Sequence, residues 1–182
     1  AEKKAEDHPC ASTFALDAGN PEARRKEIEA ADLVISMLPA FFHPEVARDA
    51  IATRTPLITP SYLSAEIAGM DAEAKSAGIP ILNELGLDPG IDHLSAMEVI
   101  DGLRSTGSTL TGFESYTGGL VAPESDDNPW HYKFTWNPRN VVLAGQGGSA
   151  TFKENGRIRV LPPHRLFKEV TQIDVPGAGR FE

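Results

Sequence analysis

Glu84, Asp88, Asp92 and His93 lie within the single segment ILNELGLDPGIDH, Ile81 to His93. Carboxylates and an imidazole this close together can take up or return the proton that moves when an amine or imine reacts. They can also pair with a substrate ammonium. Such groups work best where a strand ends and a helix begins, because both elements hold them rigidly. Partial burial would lift a carboxyl pKa toward the working range, whereas a helix N-terminus would lower it. Asp88 before Pro89 also has the form of a helix N-cap, a purely structural role compatible with catalysis.

A second cluster is DDNPWHYKFTWNPRN, Asp126 to Asn140, in which Trp130, Tyr132, Phe134 and Trp136 are interleaved with Lys133 and Arg139. Aromatic and basic residues on a loop suit a small carboxylate, with Arg139 as a bidentate fork and Lys133 as a point charge. The structural alternative is a strand with an aromatic inner face and exposed bases. Stacking on nucleic-acid bases would use similar residues, but a net charge of -9 with no basic cluster argues against that partner.

Three further positions are candidates. Tyr62 follows a strand-like run and can relay a proton or bind substrate, although a half-buried tyrosine with a satisfied hydroxyl is common. Gly118-Gly119 would allow backbone to approach a ligand, or simply form a turn. His43 reads as a helix-start residue. Ser64 has no His/Asp partner at a recognisable spacing, so nucleophilic hydrolysis lacks support. The single cysteine, Cys10, and the absence of Cys/His ligand spacing predict neither a disulfide nor a metal site.

The elements that must position these residues alternate from Ala31 to Asn83 between apolar runs of strand length and amphipathic runs of helix length, as parallel βαβ units do. LVISML (Leu33 to Leu38) reads as a buried strand. His43-Pro44-Glu45 opens a helix with Val46, Ala50 and Ile51 inward. PLIT (Pro56 to Thr59) is the next strand. Ser64 caps a helix to about Ala77, Gly78 closes it, and Ile79 to Asn83 is a third strand.

Upstream, Ser12 to Leu16 reads as a strand and Pro21 to Ala30 as a helix. Downstream, Asp92 to Thr106 carries Leu94, Met97, Ile100 and Leu103 at helical spacing, ended by Gly107. Thr109 to Gly119 and Ala150 to Val160 read as strands, separated by a polar loop and the short apolar segment VVLAG.

The expected fold is therefore α/β: a partial Rossmann-like parallel sheet with helices on both faces, followed by the start of an α/β (α+β) substrate domain. The boundary falls near Ser108, giving residues 1–107 and 108–182. The glycine-rich turn that opens a dinucleotide-binding domain is missing, so the chain is expected to enter that domain partway and to stop inside the second, VPGAGRFE having no terminating logic. Gly145-Gln146-Gly147-Gly148 lacks a clear strand-to-helix context and reads as a turn.

Hydrophobic residues make up 41% and charged residues 24% of 182, enough for a real core. No apolar run reaches membrane-helix length, and the charged start does not resemble a signal peptide. The expectation is a soluble, cytoplasmic protein.

NELGLDPGIDH, followed by SYTGGLVAPESDDNPWHYKFTWNPRNVVL, resembles the glutamate-forming saccharopine dehydrogenase family. Its members read much like NEIGLDPGIDH, then SYCGGLPAPE and YKFSW. ADLVISMLPAFFHPEV is similar to that family's cofactor-side strand and turn. The resemblance covers about Ala31 to Gly145. It implies a Rossmann domain with a substrate domain, and NAD or NADP as cofactor. The implied reaction interconverts saccharopine with L-glutamate and 2-aminoadipate 6-semialdehyde through an imine, in lysine metabolism.

Position by position, the resemblance implies that Asp88 and Tyr62 lie near the reacting centre with Glu84 beside them. It assigns Gly118, Lys133, Trp136 and Arg139 to the substrate, and Ser36, Leu38, Pro39 and His43 to the cofactor edge. Thr117 stands where fungal members have Cys, so a thiol is not essential there. The implied partner is a small amino-acid substrate, with neither nucleic acid nor membrane, and a homodimer is compatible. Alternatives are an imine-reducing carboxynorspermidine or homospermidine synthase, whose polyamine products call for more acids and fewer bases, and a non-catalytic dinucleotide-binding protein. Without the glycine-rich turn this chain alone is expected to bind dinucleotide weakly and to turn over nothing.

The expectation that gathers these assignments is geometric. The tail of the Ile79 to Asn83 strand should point into the crevice of the nicotinamide edge, opposite the Trp/Lys/Arg loop.

Overall fold

Helices and strands alternate from Pro21 to Leu82 in the computed structural model, which describes residue 5 and residues 8–135, 137–144, 147–177 and 179–181. Helix α1 (Pro21–Glu29) is started by Asn20, whose side-chain oxygen accepts from the amides of Glu22 and Ala23 at 3.1 and 3.2 Å. Pro21 fills a first-turn position where no amide hydrogen is needed. Helix α2 (His43–Thr53) likewise carries Pro44 in its first turn and ends on Arg54 in the left-handed region, φ 58°. Ser64 caps α3 (Ala65–Ala68), and Gly78, φ 76°, closes α4 (Asp71–Ala77).

The helix expected from Ser64 to Ala77 is thus two helices. The amide of Met70 bonds the Ile67 carbonyl, a tightened turn that lets Ile67, Met70 and Ala74 all enter the core.

Strands β1 (Val34–Ile35), β2 (Leu57–Ile58) and β3 (Ile81–Leu82) form one parallel sheet in that order, with Val34 opposite Leu57 and Leu57 opposite Ile81. This is the α/β, Rossmann-like architecture the alternation predicts. Its core gathers Ile28, Val46, Ala47, Ala50, Leu57, Ile67, Met70, Ala74 and Ile79, with Val34 and Ile81 packed against it. Fully burying Leu57 contributes about 2 kcal/mol relative to leaving it in water.

Several expectations are corrected. LVISML is not buried throughout: Val34, Ser36 and Leu38 turn inward, whereas Leu33, Ile35 and Met37 are exposed, so the run is a half-covered strand. Ser12 to Leu16 forms no strand, because β1 pairs only with β2 and leaves that run no ladder partner among the described residues. Helix α5 (Ile91–Ser105) forms where the spacing places it, yet none of its residues is buried. Thr109 to Gly119 forms no strand either, and its residues are exposed.

The chain forms two compact units, Ala1–Thr117 and Gly118–Glu182. The second contains helix α6 (Pro138–Ala144), which takes up most of VVLAG, and an antiparallel hairpin, β4 (Ala150–Glu154) with β5 (Arg157–Leu161). Asn155 and Gly156, at φ 49° and 78°, make its two-residue turn, as that dipeptide favours. A second hairpin, β6 (Ile173–Val175) with β7 (Gly179–Phe181), occupies the final segment, which sequence pattern had left without structure.

Candidate functional site

Three loops leave the carboxyl ends of β1, β2 and β3 on the same edge of the sheet, where open parallel sheets bind ligands. The first runs from Ser36 through a 3-10 turn, Ala40–Phe42, into α2. His43 at its end is 1% exposed. Its Nδ1 lies 3.1 Å from Ser36 Oγ, and its Nε2 lies 2.8 Å from Ser61 Oγ and 3.1 Å from Thr59 Oγ1. Burial pushes the His43 pKa below the usual histidine value, so the ring is neutral at pH 7. Ser36 is buried with it, Leu38 is half-buried and Pro39 is exposed.

The second and third loops are laced together. Leu85 donates its amide to Thr59, Glu84 to Ser61, and Leu63 to Glu84 Oε1, at 3.2, 3.0 and 3.1 Å. Tyr62 lies between two held residues and is 58% exposed. Glu84 adopts φ 62°, the left-handed region that costs a side-chain-bearing residue about 1–2 kcal/mol, and it does so where its carboxylate reaches back to Leu63. Gly86 lies close against Pro60, where a Cβ would meet the Pro60 side chain at 3.1 Å.

Asp88 and cis-Pro89 form the crest of the third loop, with Asp88 exposed. The loop folds tightly on itself: Gly86 donates to Pro89, and Ile91 donates back to Gly86, both at 3.0 Å. Asp92 Oδ1 accepts from the Gly90 amide and faces His93 Nδ1, both at 2.8 Å. Asp92 therefore does the tethering for which Asp88 was a candidate.

Ligand atoms of Asp88, Asp92 and His93 lie within 4.8 Å of one another. The hydrogen bond and negative charge of Asp92, with Asp88 and Glu84 adding to the field, raise the His93 pKa above the usual value. The same hydrogen bond lowers that of Asp92.

Of the sequence candidates, Ser36, Leu38, Pro39, His43, Tyr62, Glu84 and Asp88 all sit on these three loops. The hydroxyl set Ser36, Thr59 and Ser61 went unnoticed as a network. The available signal was a small hydroxyl residue just beyond each of two strands and a histidine at a helix start.

In the second unit, Lys133 pairs with Asp127 at 2.8 Å, which lowers the Asp127 pKa and meets the charge expected to serve as a free point charge. Tyr132 and Phe134 pack edge-to-face at 5.5 Å, and Trp130 is exposed. Asn128 Nδ2 donates to the Tyr132 carbonyl at 3.1 Å, shaping that loop. Arg139 is exposed in the first turn of α6, and Gly118 lies exposed at the start of the unit. Trp136 lies outside the described residues, as do Gly145 and Gln146. The glycine-rich stretch runs from a helix into a strand, the reverse of the order a phosphate-binding turn requires.

The family model of the saccharopine dehydrogenase NADP binding domain matches residues 1–82, and that of the saccharopine dehydrogenase C-terminal domain matches residues 86–182. The chain is 43% identical over 153 residues to saccharopine dehydrogenase (NADP(+), L-glutamate-forming) of Saccharomyces cerevisiae, covering 84% of this chain and 34% of that protein. It is 40% identical over 166 residues to alpha-aminoadipic semialdehyde synthase of Arabidopsis thaliana, covering 91% of this chain and 16% of the other. A solved structure of apo saccharopine dehydrogenase (L-Glu forming) from Saccharomyces cerevisiae superposes with a TM-score of 0.77 at 39% identity. That superposition covers 97% of this chain and 40% of that one. The chain thus spans about a third of the length of the fungal relatives it matches.

Proposed function

The chain belongs to the saccharopine dehydrogenase family, and on that premise we propose that the full-length protein carrying it is an NADP-dependent oxidoreductase acting on a CH–NH bond. Its reaction interconverts saccharopine with L-glutamate and 2-aminoadipate 6-semialdehyde in lysine metabolism. The observation that carries this reading is the sheet edge that Tyr62, Glu84 and Asp88 share, in a chain about 40% identical to enzymes named for this substrate and cofactor.

The described residues fit the nicotinamide side of a dinucleotide. Ser36 and His43 are buried and bonded to each other, so they fix the first loop from below. Leu38 and Pro39 are the part of it that a ring could lie against, beside the exposed Phe41. When bound, the cofactor supplies the hydride for reduction of the imine or accepts it in the oxidative direction.

The chain's own residues handle the proton. In the reductive direction the glutamate amine and the aldehyde lose water to give the imine, and its nitrogen needs a proton as the carbon gains hydride. An exposed carboxyl on a rigid loop, Asp88, is suited to deliver and retrieve that proton, with the Tyr62 hydroxyl as relay. Arg139, with Gly118, Lys133 and Trp136, belongs in this reading to recognition of the substrate carboxylates. Lys133 then acts as a pair with Asp127. The cofactor-side part is taken to end near Gly107, and a cytoplasmic location belongs to the same reading.

The test is to assay the full-length protein with saccharopine and NADP+ or NAD+, following reduced nicotinamide and free glutamate together. NADP-dependent release of glutamate is expected. Nicotinamide reduction with a carboxylated polyamine and none with saccharopine would transfer the assignment to a polyamine synthase.

A further inference from the structure

Tyr62 owes its placement to two neighbours held from opposite sides. Ser61 is fixed through its hydroxyl by the buried ring of His43 and through its carbonyl by the Glu84 amide. Leu63 is fixed through its amide by Glu84 Oε1. Glu84 therefore grips the chain on both sides of Tyr62, by main chain before it and by side chain after it. Its left-handed backbone lets one residue do both.

A carboxylate whose task was to meet a substrate ammonium would gain nothing from turning back on a loop amide. An oxygen bonded to a main-chain N–H also has less to offer a ligand. We propose that Glu84 is a positioning residue for Tyr62, acting through the Leu63 amide rather than through a charge presented to substrate, and that the His43–Ser61 bond is the second half of the same clamp. This rests on the reading of Tyr62 as part of the reacting site.

The role requires a hydrogen-bond acceptor at residue 84 and no negative charge. Glutamine keeps the acceptor and loses the charge, and alanine loses both. In the full-length enzyme, Glu84→Ala is expected to lower kcat roughly ten- to a hundredfold, the scale of a reacting group displaced by about an ångström. The NADP dissociation constant should hold, and amide exchange at Leu63 should quicken. Glu84→Gln should recover most of the lost kcat and restore slow exchange at Leu63.

Tyr62→Phe separates the two readings. If Tyr62→Phe lowers kcat and adding Glu84→Ala to it lowers kcat little further, the residues act as one unit, as proposed. If Glu84→Gln is as impaired as Glu84→Ala, with the loss mainly in saccharopine KM, charge recognition is the role and the proposal fails. If Tyr62→Phe is fully active while Glu84→Ala is not, the assignment of Tyr62 falls, and this proposal with it, while the enzyme class stands.

Discussion

Replacing Gly90 by alanine tests whether the loop carrying Asp88 is as tightly closed as its hydrogen bonds indicate. Gly90 has φ 146°, and a Cβ there would lie 2.6 Å from the Gly86 nitrogen and 2.9 Å from its carbonyl carbon, and would also run into the Gly86 oxygen. Ordinary Cβ contacts begin near 3.4 Å, so backbone must move by more than about 0.8 Å at a place where no flexible side chain can yield. The unfavourable φ costs about 1–3 kcal/mol by itself. Parting Gly86 from Gly90 also puts at risk the Gly86 to Pro89 and Ile91 to Gly86 bonds, each worth about 1 kcal/mol. The sum is roughly 3–5 kcal/mol, a large share of the 5–15 kcal/mol that holds a typical domain.

Two other glycines calibrate that figure. Gly107→Ala has the positive φ, 78°, without the crowding, and should cost about 1 kcal/mol. Gly102→Ala, inside α5 with nothing within 4 Å of the new Cβ, should be stabilising by about 0.5–1 kcal/mol. Urea unfolding midpoints at constant m-value read all three. If Gly90→Ala costs no more than Gly107→Ala, the close approach of Gly90 to Gly86 is not what holds the loop.

Asp49 is 2% exposed and receives Arg24 Nε at 2.7 Å and Arg25 at 2.9 Å. Asp49→Ala removes the buried partner of Arg24, which keeps the half-exposed Glu45 at 3.0 Å, and should cost about 3 kcal/mol by urea unfolding, while Arg25→Ala, at a half-exposed guanidinium, should cost under about 1 kcal/mol. Similar losses in the two variants would refute the buried pair. The His93 proton resonances should titrate above the usual histidine midpoint and fall back toward it in Asp92→Asn. An unchanged midpoint would mean that the Asp92 bond does not exist in solution. Because burial lowers the His43 pKa, the unfolded state binds the extra proton first as pH falls. Stability should therefore drop below about pH 6.5 and level off beneath the folded pKa, and His43→Gln should remove that step. Asp88→Asn in the full-length enzyme should slow turnover, and wild-type kinetics would remove Asp88 from the proton path.

The βαβ alternation from Ala31 to Asn83 was legible because caps and burial agree along it: Pro44, Ser64 and Gly78 punctuate the helices where the chain does break. Ser12 to Leu16 and Thr109 to Gly119 failed for a shared reason. Both have strand-like residue types, but a strand needs a ladder partner, and partnership is not written in the segment itself. Local spacing likewise specified α5 without saying what, if anything, covers Leu94 and Met97.

The site divides along the same line. Residue type and distance along the chain were enough to place Tyr62, Glu84 and Asp88 at one sheet edge, because each follows a strand of the same parallel sheet. What each one does depends on which atoms are already bonded, and that is a matter of loop conformation. The family resemblance put His43 at the cofactor edge, where both its ring nitrogens face hydroxyls on the loops that follow two strands. Lys133 had the composition of an anion site, but it lies on Asp127. Asp88 had the pattern of a cap, but Asp92 accepts the Gly90 amide, leaving the Asp88 carboxyl exposed at the crest of its loop. A reacting carboxyl must keep an oxygen free for substrate, so its release from capping is the feature of this edge that most favours proton transfer at Asp88.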